Sequence, residues 1–509
     1  MNLFMDEETK KLGGFFNPHS VAIVGATKRV NKAGHVIFKN FIENKTRGVF
    51  KGELYAVNPT EDSIMGVKCY PSLTKIIGNV DLAVIVIPAA AVPNVLKDAA
   101  TKKVTDVVII SSGFGEVGNH DLEQQIVDIA HKNGIRMLGP NCLGVYDSRT
   151  GVDMLFLPET KILATGDEVV ATPRPIPGNI AIVTQSGAFG VAALDYLAGR
   201  EVGVSKFVSF GNKADVNEGE MLSYLLHDEE TKVILLYVED IKSGRYFIDV
   251  AGKVTQRKPV VALKSGRTSA GARAAASHTG ALAGSDRIYD AVFEQTGVLR
   301  AEDMDEFFHM GKALEMQPPA AGRNIGIITD AGGPGIMAVD ECELKGLNVP
   351  HFSEKTVAKF EKLKLEGKLP KFASNLNPID ITGSGTDEMF EISTRILFQD
   401  PDLCGIIILG LHHTPAVQEE YIDKVAKMSF SYDKPIVACD IGETEMALYT
   451  RARFDKQGIP AYSSPEDAAR AMNGLVRYGL YLKKKGCFEE YLQSFLQNKK
   501  KRFHIKATP

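Results

Sequence analysis

The sequence predicts an α/β protein with parallel sheets, and three observations carry that prediction. Short runs of β-branched and aliphatic residues alternate with segments of helical periodicity along most of the chain, as expected for strands covered on both faces by crossover helices. A strand, glycine-rich loop and helix pattern occurs twice. Asn179-Ile180-Ala181-Ile182-Val183-Thr184-Gln185-Ser186-Gly187-Ala188-Phe189-Gly190-Val191-Ala192-Ala193-Leu194-Asp195 aligns without a gap on Asn324-Ile325-Gly326-Ile327-Ile328-Thr329-Asp330-Ala331-Gly332-Gly333-Pro334-Gly335-Ile336-Met337-Ala338-Val339-Asp340, sharing Asn, Ile, Ile, Thr, Gly, Gly, Ala and Asp. Such self-similarity marks two copies of one folding unit. Finally, 509 residues exceed what one core can serve, which predicts about three domains.

The totals exclude several classes. With 44% hydrophobic and 24% charged residues the chain reads as globular. A net charge of -4 argues against nucleic acid as a partner, and the one basic run, Asn498-Lys499-Lys500-Lys501-Arg502, reads as a solvated end. Six cysteines without a C-x-x-C pair disfavour a zinc knuckle or disulfide framework and favour a reducing compartment. No apolar run reaches the ~18 residues of a membrane span, and Met1 to Lys11 is acidic and polar, so the expected location is cytoplasmic, with no membrane partner.

Residues 1–150 form the first expected domain. The β-branched apolar run of Ser20 to Thr27 ends at Gly25, basic residues follow, and a helical pattern then covers Val36 to Phe41. A parallel strand leading into a turn and a helix start is the Rossmann opening, where backbone N–H groups accept phosphate. The full G-x-G-x-x-G is absent, the next glycine being Gly34. Further strands end at Asn58-Pro59, Ile87-Pro88, Ser112-Gly113 and Gly139-Pro140-Asn141, with helical stretches at Val92 to Ala100 and Leu122 to Asn133. Ligands of parallel sheets bind at the carboxyl ends of the strands. The candidate rim is therefore Asn58, Pro59, Ile87, Pro88, Ser112, Gly113, Glu116, Asn141 and Cys142.

Residues 151–178, rich in Pro, Thr and Gly, read as a linker, followed by domains at 179–318 and 319–509. In both copies of the repeat the loop, Gln185-Ser186-Gly187-Ala188 and Gly332-Gly333-Pro334-Gly335, should set free N–H groups at a helix start as an anion seat. Between the copies, the strand Val233 to Val238 ends in Glu239-Asp240, beside a strand end at Gly211-Asn212-Lys213-Ala214-Asp215. The strand Pro259 to Lys264 leads through Ser265-Gly266-Arg267 to His278, set among small residues. A neutral imidazole is nucleophilic at physiological pH, and a carboxylate on one ring nitrogen orients the other. A packed loop histidine and a surface Glu239 are the plain alternatives. The third domain continues through Asn377-Pro378-Ile379-Asp380, strands at Gly405 to Leu411 and Pro435 to Asp440, and a helical end from Pro465. Its apolar stripe of Ala468, Ala469, Met472, Leu475, Val476 and Leu480 reads as packing.

From about Phe15 to Leu482 the chain resembles the α subunit of the NDP-forming acyl-CoA synthetases, archaeal ADP-forming acetyl-CoA synthetases in particular, which are relatives of succinyl-CoA synthetase. The resemblance rests on an ordered set: Ser20 to Ala26, Gly139-Pro140-Asn141-Cys142-Leu143-Gly144, Thr184-Gln185-Ser186-Gly187-Ala188, Ser277-His278-Thr279-Gly280-Ala281, Ala331-Gly332-Gly333-Pro334-Gly335 and Asn377-Pro378-Ile379-Asp380. It implies a CoA-binding Rossmann domain, then two flavodoxin-like, doubly wound domains. CoA falls to the rim residues and to Gly25, Ala26, Thr27 and Lys28. His278 matches the family's phosphohistidine, Glu239 its orienting acid, and the two glycine-rich loops its phosphate seats.

The implied reaction is acyl-CoA, phosphate and ADP to acid, CoA and ATP. The family's ATP-grasp module has no counterpart here and no G-x-x-x-x-G-K-[ST] replaces it. The resemblance therefore implies a separate ATP-grasp β subunit in an α2β2 assembly, with Mg²⁺ and ADP or ATP on that partner and no metal ligands in this chain. A CoA- or acyl-CoA-binding regulatory module without turnover is the alternative reading.

Overall fold

The computed structural model describes residues 12–279 and 285–502, and the side chains within them except at 275–279. Its contacts divide the chain into two compact units, Met1–Arg300 and Ala301–Pro509.

The first unit holds two seven-stranded sheets. In the first sheet the order is Ser63–Ile64, Val67–Tyr70, Glu53–Val57, Ser20–Val24, Leu82–Ile85, Asp106–Ile109, Arg136–Leu138. Pairing is parallel from Val67–Tyr70 onward. All five residues of Ser20–Val24 are buried, which explains a continuous apolar run rather than an alternating one. The helices Ala33–Thr46, Val92–Lys102 and His120–Lys132 cross over between these strands.

The second sheet runs Leu299–Ala301, Val260–Lys264, Val233–Val238, Pro177–Thr184, Val204–Ser209, Gly144–Asp147, Val152–Asp153. Residues 144–153, which the sequence divides between the first domain and a linker, thus complete the second sheet. Gly144–Asp147 pairs antiparallel with Val204–Ser209, and Val152–Asp153 pairs antiparallel with it in turn. At four and two residues, these strands are too short for periodicity to reveal. The remainder of 151–178 carries an antiparallel hairpin, Thr160–Ile162 with Glu168–Val170.

The segment after Val204–Ser209 staples the two sheets. The backbone N–H groups of Asn212, Ala214 and Val216 donate to the carbonyls of Pro140, Gly139 and Met137 at 2.9, 3.1 and 3.2 Å. Asp215 accepts from Arg136 Nε at 3.1 Å and from the Met137 N–H at 2.8 Å. One apolar cluster then runs from Val21 and Phe38 to Val183 and Leu236.

Asp106, at the start of its strand, is 5% exposed. Burial pushes its carboxyl up to about 6, against the opposing hydrogen bond from Thr105 and the charge of Arg136. A carboxyl held above its unfolded value stabilises the fold fully below about pH 4 and loses that contribution as pH rises through 6. Asp106→Asn should therefore gain up to about 3 kcal/mol at pH 8 and little at pH 4, as urea unfolding at the two pH values will show.

The second unit has one parallel five-stranded sheet, ordered Ile379–Asp380, Ile325–Thr329, Gly405–Leu409, Ile436–Cys439, Ala461–Tyr462. The long helix Pro465–Lys485 buries Ala468, Ala469, Met472, Leu475 and Val476, while Leu480 is half-buried.

Candidate active site

The repeat is one hydrogen-bonded device built twice. In the first unit, Thr184 Oγ1 donates to the Ser186 carbonyl at 2.9 Å and accepts from the Ser186 N–H at 3.1 Å. In the second, Thr329 Oγ1 donates to the Ala331 carbonyl at 2.8 Å and accepts from its N–H at 3.0 Å. Each threonine folds the strand end into a helix start, Gly187–Gly199 or Gly332–Leu344. A Cβ on Gly190 or Gly335 would lie 2.9 Å from the corresponding threonine Cγ2, so both glycines recur for the same steric reason. The first four N–H groups of each helix have no intrahelical acceptor, and the dipole adds positive potential there.

The two helix starts differ in what surrounds them. By strand register Thr184 pairs with Ser209 and Thr329 with Asp380. A Cβ on Gly332 would lie 3.1 Å from Asp380 Oδ2, so a carboxylate already stands near the second helix start. The first has a neutral hydroxyl at that register place.

Beside the first helix start, Gln185 organises the loop after Val233–Val238. Its Oε1 accepts the N–H groups of Glu239 and, at 3.1 Å, Asp240, and its Nε2 donates to Asp240 Oδ1 at 2.6 Å. Burial alone would raise the Asp240 carboxyl, but the Lys213 ammonium and the Gln185 amide outweigh it and hold it below the usual carboxylate range. Tyr237, stacked on Phe189 at 4.2 Å, donates to Glu239 Oε1 at 3.5 Å.

A cavity of about 970 Å³ in the first unit brings many expected residues together. Ile87, Pro88, Ser112, Glu116, Asn141 and Cys142 line it from the first sheet, and Gln185, Ser186, Gly187, Ala188 and Glu239 from the second. Gly113 does not line it, but its N–H donates to Glu116 Oε1 at 2.5 Å. Gly25, Ala26, Thr27, Lys28, Asn58 and Pro59 lie outside that lining. They form a turn of their own, in which Asn58 Nδ2 donates to the Ala26 carbonyl at 2.8 Å and exposed Lys28 pairs with Glu61 at 2.9 Å. His278 lies on the helix Ser269–Thr279, and its side chain lies outside the described residues, as does the stretch Gly280 to Gly284 that follows it.

Four residues near these sites are not among the expected site residues: Gly34, Asn212, Lys213 and Lys242. Gly34 stands where a Cβ would fall 2.1 Å from the Gly25 carbonyl oxygen. It thus does the close-packing work of the last glycine in G-x-G-x-x-G, and its spacing is what hides it. The others act through loop contacts that no spacing encodes.

Cys142 lines the cavity, yet its Sγ donates to the Ile109 carbonyl at 3.3 Å, and burial pushes the thiol up to about 12. At pH 7.5 the folded chain should alkylate at Cys142 about 10³-fold more slowly than an ordinary thiol, which peptide mass spectrometry after a timed iodoacetamide pulse will measure. Among the described residues no group of side chains is arranged to hold a metal ion, and no described helix is long and apolar enough to cross a membrane.

A Rossmann-like sheet followed by a repeated flavodoxin-like unit gives the architecture of a CoA-dependent ligase. Three domain families match in order: a CoA binding domain over residues 19–148, a succinyl-CoA ligase like flavodoxin domain over 177–314, and a ligase-CoA domain over 325–478. The α subunit of ADP-forming acetate–CoA ligase II from Pyrococcus furiosus is 39% identical over 474 residues, covering 91% of this chain and 97% of that one. An ADP-forming acetate–CoA ligase from Methanocaldococcus jannaschii is 37% identical over 481 residues, and this chain spans 64% of its length. The solved structure of the acetyl-coenzyme A synthetase 1 of Ca. Korarchaeum cryptofilum, in complex with phosphate and ADP, matches with a TM-score of 0.82 at 35% identity, over 95% of this chain and 98% of that one. The chain belongs to the family of ADP-forming acetate–CoA ligase α subunits, a family of acid–thiol ligases.

Proposed function

We propose that this chain is the acyl-CoA-handling half of an ADP-forming acetate–CoA ligase. The observation that carries the proposal is the cavity in which the Gly187 helix start, the Glu239 loop and the rim of the CoA binding domain meet. CoA is assigned to that rim, with its phosphates at the Gly25–Lys28 turn. The φ of +98° at Gly25 and the absence of a Cβ at Gly34 keep the helix start of Ala33–Thr46 close to that turn, as a bound pyrophosphate requires.

Three transfers complete the reaction. A phosphate oxygen attacks the thioester carbonyl, the C–S bond breaks, and CoA leaves with acetyl phosphate as product. The His278 imidazole attacks phosphorus, and the P–O bond to acetate breaks. The β-phosphate of ADP then takes the phosphoryl group as the N–P bond breaks, giving ATP. A covalent phosphohistidine lets the thioester and nucleotide chemistries proceed at separate places.

Gln185, Ser186, Gly187 and Ala188 hold the phosphoryl group at the first seat, and Glu239 accepts a hydrogen bond from one nitrogen of His278. Gly332, Gly333, Pro334 and Gly335 take the same part in the second unit, where the Asp380 carboxylate competes for the helix start. The nucleotide and its Mg²⁺, which neutralises phosphate charge, belong to an ATP-grasp β subunit in an α2β2 assembly. The chain reconstituted with such a subunit should form ATP from acetyl-CoA, phosphate and ADP, with each component required. A reconstituted complex that binds CoA but forms no ATP would favour the regulatory-module reading.

A further inference from the structure

The loop Gly211–Lys213 touches both sides of the cavity, with consecutive residues facing opposite ways. Gly211 packs its backbone on the 139–141 loop: a Cβ there would lie 2.2 Å from the carbonyl oxygens of Pro140 and Asn141. Asn212 turns to the first sheet. Its Nδ2 donates to Glu116 Oε2 and Glu123 Oε2, both at 2.7 Å, and its Oδ1 accepts from Asn141 Nδ2 at 3.3 Å. Those two carboxylates in turn accept the N–H groups of Gly113 and Gly115, Gly115 at 3.1 Å from Glu123 Oε2. Asn212 thereby fixes the shape of the 113–116 loop.

Lys213 turns to the second sheet. It is 2% exposed, with a left-handed φ of 52°, a conformation a lysine keeps only when its surroundings demand it. Its Nζ donates to Glu218 Oε2 at 3.0 Å and to the Asp240 carbonyl at 2.8 Å, and pairs with Asp240 Oδ1 at 3.2 Å. Asp240 shares Gln185 with the Glu239 N–H. Lys242 Nζ closes the arrangement from above, donating to the carbonyls of Asn212 and Lys213 at 3.0 and 3.1 Å.

We infer that Asn212 and Lys213 are two positioning residues with divided duties, Asn212 setting the 113–116 loop for CoA and Lys213 setting Glu239 for the phosphoryl step. The inference rests on the proposed function for its kinetic form only. In the holoenzyme assayed in the acid-activating direction, Asn212→Ala should raise the KM for CoA about 10- to 100-fold with kcat little changed. Lys213→Met should lower kcat by a similar factor with the KM for CoA little changed. Asp240→Asn, which keeps the side-chain shape but discharges the link to Lys213, should repeat the Lys213 pattern if Lys213→Met folds poorly.

Amide hydrogen exchange gives a readout free of activity. Exchange at Glu239 and Asp240 should quicken in Lys213→Met and Asp240→Asn but not in Asn212→Ala, which should quicken Gly113 to Gly115 instead. Variants that shift one common kinetic parameter, or exchange that changes in both loops or neither, overturn the division of duties. A wild-type holoenzyme without ligase activity would sink the functional reading, and the exchange pattern would still decide the positioning claim.

Discussion

Replacing His278 by alanine should abolish ATP formation from acetyl-CoA, phosphate and ADP in the reconstituted complex, by at least about 10³-fold, while CoA binding to the variant stays within about 2-fold of wild type. The split follows from the layout. CoA is assigned to the Gly25–Lys28 turn and the rim from Ile87 to Cys142, which belong to the first sheet. His278 belongs to the second half of the unit, on the helix after the strand Val260–Lys264. Losing a nucleophile removes the covalent route for the phosphoryl group; among the described lining residues of the cavity the one histidine, His120, stands at the start of a helix that crosses over between strands of the first sheet. Isothermal titration with CoA beside a coupled ATP assay will read both quantities. Equal loss of binding and turnover would mean that His278 supports the fold instead.

The second large effect falls on Gly34. Gly34→Val should weaken CoA binding about 10- to 100-fold, the loss expected for one or two charge-assisted hydrogen bonds, and destabilise the first unit by about 3 kcal/mol. The added Cβ would meet the Gly25 carbonyl oxygen at 2.1 Å, and that carbonyl has nowhere to retreat. A Cβ on Gly25 itself would lie 2.3 Å from the Val86 oxygen, Val86 N–H is committed to the Val24 carbonyl at 2.8 Å, and Asn58 holds the Ala26 carbonyl. Relief therefore comes from moving the start of the helix Ala33–Thr46, and with it the N–H groups assigned to phosphate. Titration calorimetry and urea unfolding of the variant check the two numbers. Unchanged CoA affinity would place the phosphates elsewhere.

Much of this architecture was legible because buried parallel strands write themselves as apolar runs. Ser20–Val24, Leu82–Ile85, Val233–Val238 and Gly405–Leu409 were each readable, and the duplication of Thr184 and Thr329 with their glycines pointed to one device used twice. What stayed hidden is what sequence spacing does not carry. The strands Gly144–Asp147 and Val152–Asp153 join the second sheet by antiparallel pairing over a few residues, without a period to detect. Gly34 does its work nine residues beyond Gly25, outside the usual fingerprint. Asp380 stands near the second helix start only because strand register puts it opposite Thr329. Asn212 and Lys213 divide between two loops through side-chain directions set by a left-handed residue, which no composition or spacing reports.

The proposed reaction turns on a phosphoryl group that resides on His278 during turnover. The purified chain is incubated with its β subunit, Mg²⁺ and ATP, or with acetyl-CoA and phosphate, then digested and analysed by mass spectrometry under alkaline handling. An acid-labile phosphate should appear on the peptide carrying His278 by either route, be discharged by ADP and be absent from His278→Ala. Turnover with no phosphate on that peptide, or phosphate persisting in the alanine variant, would contradict it.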